Sequence, residues 1–198
     1  MPTKTFENLK PDKREIILNA LLNEFSHYKL PDAQVARIIK DCGIARGSFY
    51  KYFADLTDSY HYTLKRVLDK VHFDVFSRIR ENHQNTLTSF NAATTDFIKR
   101  ISQSKYLDFY RLYVEYNQYE IKRPVVDYHH FNPEQLPLWV NGQLLSNSNV
   151  AAVIYKAATA ASHNTIRAIL MGADRKTELA DLKTMLQIMN QGLLEEVH

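Results

Sequence analysis

The distribution of proline constrains this chain most. Prolines stand at positions 2, 11, 31, 124, 133 and 137, so none interrupts residues 32–123 or 138–198, and glycine is scarce across both spans. A proline inside a helix removes a backbone hydrogen bond and clashes with the preceding turn, so spans without one admit long helices. Strand-length runs of alternating apolar and polar residues bounded by tight-turn pairs are missing, and the one Asn-Gly pair, Asn141-Gly142, lies in no such setting. The expected fold class is all-α.

Composition sets the outer bounds. With 198 residues, 45% hydrophobic and 24% charged, the chain has the make-up of an ordinary globular protein, which excludes disorder, collagen and a disulfide scaffold. A single cysteine makes no internal bridge, and Met1–Lys13 lacks the pattern of a signal peptide, so a cytoplasmic location is expected. The longest uncharged window, Gln135–Tyr155, is too polar to span a membrane. Charge is unevenly placed: residues 1–66 hold 11 Lys and Arg against 8 Asp and Glu, whereas residues 67–198 hold 14 of each. Positive charge gathered on a small N-terminal unit is what a phosphate-facing surface requires.

That unit breaks into short helices with readable ends. Ile17, Ala20, Leu21, Phe25 and Tyr28 form a buried stripe, predicting a helix over Asp12–Tyr28. Leu30-Pro31-Asp32 interrupts it, and Val35, Ile38, Ile39 and Cys42 repeat at i, i+3, i+4 and i+7 in a second helix, with Cys42 at its buried end. Gly43, just past the last apolar position, supplies a left-handed turn. A third helix over Ala45–Phe53 places Phe49 and Phe53 inward, Gly47 and Lys51 outward with Ser48 beside them, and Arg46, Tyr50 and Tyr52 on the flanks. An acid-free surface helix of this make-up suits the major groove of DNA. Lys51 reads bases, Arg46 contacts base or backbone, and Ser48, Tyr50 and Tyr52 hold phosphate. Two short helices joined by a tight glycine turn make a helix-turn-helix, whose second helix enters the groove.

The run from Val35 to Phe53, with its Gly43-Ile44 turn, Arg46-Gly47-Ser48 and Tyr50-Lys51-Tyr52-Phe53, resembles the signature of the TetR family of transcriptional repressors over roughly residues 12–66. Two departures stand out. Ala45 replaces a frequent Ser, removing a helix cap that contributes about 1 kcal/mol, and Leu56 replaces a frequent phosphate-contacting Lys. The resemblance implies a three-helix DNA-binding domain over residues 1–56 and a connecting helix over 57–80. A larger helical domain over 81–198 would then bind an effector and dimerise.

Tyr60, Leu64, Val67, Leu68, Val71 and Val75 continue one stripe through a helix expected over Thr57–Arg80. Downstream, aromatics crowd Thr86–Tyr155. Tyr106, Tyr110 and Tyr113 lie at i, i+4 and i+7 with Phe109 and Tyr116 on the same side, and Tyr128, Phe131 and Trp139 follow. Such stripes fill cores, yet so many hydroxyls need partners. Tyr106, Phe109, Tyr110, Tyr113 and Trp139 are therefore expected around a flat or apolar ligand. Near the C-terminus, Met171-Gly172-Ala173-Asp174 separates two apolar helices. Val150, Val153, Ile154, Ala157 and Ala161 mark the first, and Leu182, Met185, Leu186, Met189 and Leu193 the second, with Leu182, Leu186 and Met189 expected at the interface. The two helices either close the core of one chain or, as the resemblance implies, pair with their copies as a homodimer interface.

Catalytic chemistry has no visible constellation: no nucleophile elbow, phosphate-binding glycine loop, metalloprotease motif or cysteine pair. His129-His130 lacks a third ligand at helical spacing, so no metal and no cofactor are expected. The expected function is a palindrome-binding homodimeric repressor released by a small effector, and not an enzyme. The alternative is an architectural or protein-interaction module with no small ligand, its aromatics being core.

Overall fold

The computed structural model describes residues 2–72, 75–121 and 137–194, which form two compact units. The head comprises Met1–Val71 with Gln103–Lys122, and the body comprises His72–Ser102 with Arg123–His198. The all-α expectation holds: apart from one small hairpin, the described elements are helical.

In the head, α1 (Lys4–Glu7) precedes α2 (Pro11–His27), which starts with proline at a position where its missing N–H costs nothing. A 3₁₀ turn at Leu30–Asp32 leads to α3 (Val35–Cys42), α4 (Arg46–Tyr52) and α5 (Leu56–Val71). The first three helices expected from the stripes thus lie within a residue or two of their forecast ends. Ile17, Leu21, Phe25, Ile38, Phe49, Phe53 and Tyr60 are all sealed from solvent in one aromatic-rich core. Residues 103–122 return to this unit with α8 (Leu107–Leu112), a π-helical turn at Tyr113–Asn117 and α9 (Gln118–Glu120), packed on α2.

The body is built on α6 (Val75–Glu81), α7 (Thr86–Ile101), α10 (Ser148–Leu170) and α11 (Arg175–Leu193). Each of the long helices begins with a side-chain cap: Asn85, Asn147 and Asp174 accept from the first free backbone N–H groups of α7, α10 and α11. The Asp174 carboxyl also accepts from the Thr177 hydroxyl at 2.8 Å, and its bonds to Thr177 hold it below the ordinary carboxylate range. Leu87, Phe90, Tyr155, Ala158, Leu182 and Leu186 form the core. Burial pushes the Tyr155 hydroxyl up to about 12, and this hydroxyl donates to the Pro137 carbonyl at 2.9 Å.

Several expectations are corrected. Asn141-Gly142 does close a hairpin: strands Trp139–Val140 (β1) and Gln143–Leu144 (β2) pair antiparallel, and both turn residues have positive φ. With two residues per strand, no alternation was there to see. The single helix expected over Thr57–Arg80 is divided, since α5 ends at Val71, His72 bends, and α6 starts at Val75. The two units are each discontinuous in sequence, because Gln103–Lys122 belongs to the head. Tyr128, His129, His130 and Phe131 lie outside the described residues.

Candidate nucleic-acid interface

The helix-turn-helix is assembled from both ends of α3. At its start, the backbone N–H of Gln34 donates to the Glu24 carboxylate at 2.7 Å. The same carboxylate, buried on α2 with 5% exposure, accepts from Arg37 Nη2 at 2.6 Å and from Arg37 Nε at 2.9 Å. Arg37 also donates to the Asp32 carbonyl at 2.8 Å and lies 3.7 Å over the Tyr28 ring. One buried acid therefore pairs with a half-buried cation, caps α3 and fixes α3 against α2. At the other end Gly43 adopts φ +66°, where a side chain would strain the backbone, and the Ile44 N–H donates to the Ile39 carbonyl at 3.1 Å.

The turn delivers α4 with its apolar side inward. Phe49 and Phe53 are fully buried and 5.5 Å apart, while Arg46, Gly47, Tyr50 and Lys51 are exposed and Ser48 is half-buried. Ala45 makes no side-chain cap, as its identity implied, and its carbonyl accepts from the Ser48 N–H at 2.9 Å. A Cβ at Gly47 would meet nothing within 4 Å, so no packing inside the chain requires glycine there. Arg46 lies 5.9 Å from the centre of the Tyr50 ring, which orients a cation over an exposed aromatic. Tyr52 departs from expectation. It is 6% exposed and packs edge-on against Phe6 at 5.7 Å, so it belongs to the core and not to the phosphate-facing flank.

Two further fixings escaped the sequence reading. Thr3 donates its hydroxyl to the Lys51 carbonyl at 2.6 Å and its N–H to the Tyr52 carbonyl at 2.9 Å, satisfying the end of α4 from 48 residues away. Beside the start of α4, an open groove of about 470 Å³ is lined by Lys10, Lys13, Cys42, Ala45 and Ser48 among others. Both lysines are exposed, so the cationic face extends from α4 onto the start of α2. The charge excess of residues 1–66 was the only trace of this in the sequence. Cys42 is half-buried, not sealed, and burial pushes its thiol up.

The expected ligand residues fall in two different units. Phe109, Tyr110 and Tyr113 are buried within the head and Tyr106 is half-buried there, with the Phe109 ring stacked on Tyr60 at 5.6 Å. Trp139 belongs to the body, 4.9 Å from the His83 ring. The expected dimer residues also divide. Ala161, Leu182 and Leu186 are core residues of the body, so they have no surface left for a second copy. Val150, Ile154 and Met189 are partly buried against that core, while Val153 and Ala157 are exposed. On α11 the exposed apolar residues are Met185 at 49%, which the stripe includes, and Ile188 at 63%, one position from Met189.

Among the described residues no cluster of His, Cys, Asp and Glu could hold a metal ion, and no helix is long and apolar enough to cross a membrane. No protein-family model matches the chain. A curated relative, the uncharacterized HTH-type transcriptional regulator YdgC of Bacillus subtilis (strain 168), is 30% identical over 90 residues, which make up 46% of this chain and 42% of that protein. The match thus spans less than half of the relative. The helix-turn-helix resemblance of residues 35–53 is borne out. A crystal structure of a TetR family transcriptional regulator from Chloroflexus aurantiacus J-10-FL aligns with 97% of this chain and 98% of its own, at 19% identity and a TM-score of 0.49.

Proposed function

We propose that this chain, with its TetR-like helix-turn-helix head, is a cytoplasmic transcriptional repressor that binds a palindromic operator as a homodimer and is released by a small apolar or aromatic effector. The observation that carries this reading is α4: an exposed, acid-free helix presenting Arg46, Gly47, Tyr50 and Lys51, seated on Phe49 and Phe53 and held at both ends by the rest of the head. Lys51 reads a base edge, Arg46 contacts base or backbone, and Ser48 and Tyr50 hold phosphate. Lys10 and Lys13 add phosphate contacts at the start of α2. Gly47 leaves room for the DNA to approach the helix backbone.

Two copies pair through the exposed sides of α10 and α11, with Val153, Ala157, Met185 and Ile188 at the contact. Dimerisation sets two copies of α4 about one helical turn of DNA apart, on one face of the duplex. An effector weakens DNA binding only by preferring a conformation that no longer matches this spacing, and linkage makes DNA weaken the effector equally. Selection of bound fragments from a random DNA library, with and without candidate effectors, tests the reading. It predicts an enriched inverted repeat whose recovery falls with an effector, and a library without enrichment contradicts it. The burial of Phe109, Tyr110 and Tyr113 favours one rival, an interaction module with no effector. A ligand that both raises the melting temperature and releases DNA excludes that rival.

A further inference from the structure

We infer that the body holds a binding site for a small uncharged molecule with a hydrogen-bond-accepting oxygen, in a partly open cavity between α6, α7 and α10. The cavity measures about 50 Å³ and is lined by Ile79, Phe90, Phe97, Thr159, Ser162 and Ile166, among others. This gives the effector proposed above a place and a chemistry, and so rests on that reading for its regulatory meaning, though not for binding itself.

The hydroxyls carry the inference. A hydroxyl on a helix ordinarily donates to the carbonyl one turn back, as Thr94 does in this same cavity, to Phe90 at 2.7 Å. Thr159 Oγ1 and Ser162 Oγ make no such bond: both are buried without a hydrogen-bond partner, and Ser162 is 7% exposed. Two orphaned donors on residues that line one cavity carry an unfavourable desolvation cost, which an acceptor reached by a side-chain rotation relieves. Water is a poor fit. About three to five waters fit the space at about 10–15 Å³ each, and each needs two to four polar partners, which a lining dominated by Ile79, Phe90, Phe97 and Ile166 supplies sparingly. A molecule of about four or five non-hydrogen atoms fills the same space with a single oxygen at Thr159 and Ser162 and its carbons against Phe90, Phe97 and Ile166.

The lining also sets the charge of the occupant. It contains no Lys, Arg, Asp or Glu, and its titratable members are His72, whose ring stacks on Phe97 at 5.2 Å, and His163. An ion buried here would lack a fixed counter-charge, which favours a ketone, alcohol or amide over a carboxylate or amine.

Ligand-detected NMR and melting curves on the full chain, with 2-butanone, propionamide and butyrate as probes, test the site. The two neutral probes are expected to bind at millimolar concentration, as suits molecules of this size, and butyrate more weakly. Ser162→Ala is expected to reduce neutral-probe binding about tenfold while melting no lower than the parent, because it deletes an unpaired hydroxyl. Thr159→Val supplies the same test on a second side chain should the first variant fold poorly. Failure of both neutral probes to bind, undiminished binding in the folded variants, or tighter binding of butyrate overturns the site. Neutral-probe binding that is lost in the variants yet leaves operator affinity unchanged supports the site and removes the effector reading.

Discussion

The head and the body hold their helices by different means. In the head, α3 and α4 are seven or eight residues long, too short to be stable alone. They are fixed at their ends by side chains distant in sequence, with Glu24 under the start of α3 and Thr3 behind the end of α4. In the body, α10 and α11 run for 23 and 19 residues, begin with local caps and meet across an apolar core. Their outer sides still carry Val153, Met185 and Ile188 in the open. A short helix that must meet DNA in one orientation gains from polar fixings of defined geometry, whereas long helices that meet a second copy need only apolar area.

The contrast breaks most visibly at its two anchors. Glu24→Ala should cost about 3 kcal/mol, less than the loss of a fully buried pair because Arg37, with a side chain 34% exposed, can rehydrate. Leu186→Ala should cost a similar amount, about 2–5 kcal/mol, through the cavity left in the body. The two losses separate by probe. Trp139 is the chain's single tryptophan and sits in the body, so its fluorescence should follow the Leu186 change more closely than the Glu24 change, with circular dichroism following both. Equal shifts of both signals in both variants would show that the units do not differ in this way.

Charges on the outer side of the long helices sharpen the comparison next. Val153→Glu with Ile188→Glu should leave the melting temperature of the single chain nearly unchanged, since both residues are more than half exposed. Sedimentation should nonetheless give a monomer, and DNA affinity should fall as the second head is lost. A dimer that survives both charges would place the contact elsewhere. The smallest effect is expected at Gly47. Gly47→Ala should stabilise α4 by about 0.5–1 kcal/mol, because alanine costs less backbone entropy in a helix, and yet weaken DNA binding by crowding the duplex. A variant that is more stable and binds DNA as before would mean that the approach at this position is not close.

The same contrast explains what the sequence reveals. Helices α2, α3 and α4 are legible because local signals mark where they begin or end: Pro11 at the start of α2, the Leu30-Pro31-Asp32 break after it, and Gly43, with its φ of +66°, between α3 and α4. The inward pair Phe49 and Phe53 follows from helical spacing alone. Tyr52 did not, because the residue that covers it, Phe6, lies outside the spacing of α4. The fixings by Thr3 and Glu24 span 48 and 10 residues, and no local pattern announces them. In the body, apolar spacing identified α10 and α11 but could not separate the side facing the core from the side left open. Leu182 and Leu186 face the core, while Met185 of the same stripe and its neighbour Ile188 lie on the open side. The tyrosines of 106–113 and Trp139 share one aromatic-rich stretch of chain, yet they belong to different units.

The central claim is that α4 reads DNA sequence, and Lys51 tests it most directly. The affinities of the parent and Lys51→Ala should be compared on the selected operator and on random duplex, at one fixed low salt concentration. If Lys51 reads a base, the substitution costs about 1–3 kcal/mol on the operator and clearly less on random DNA. Equal losses on both would make it a phosphate contact, and no loss on either would contradict the assignment of Arg46–Tyr52 as the recognition helix.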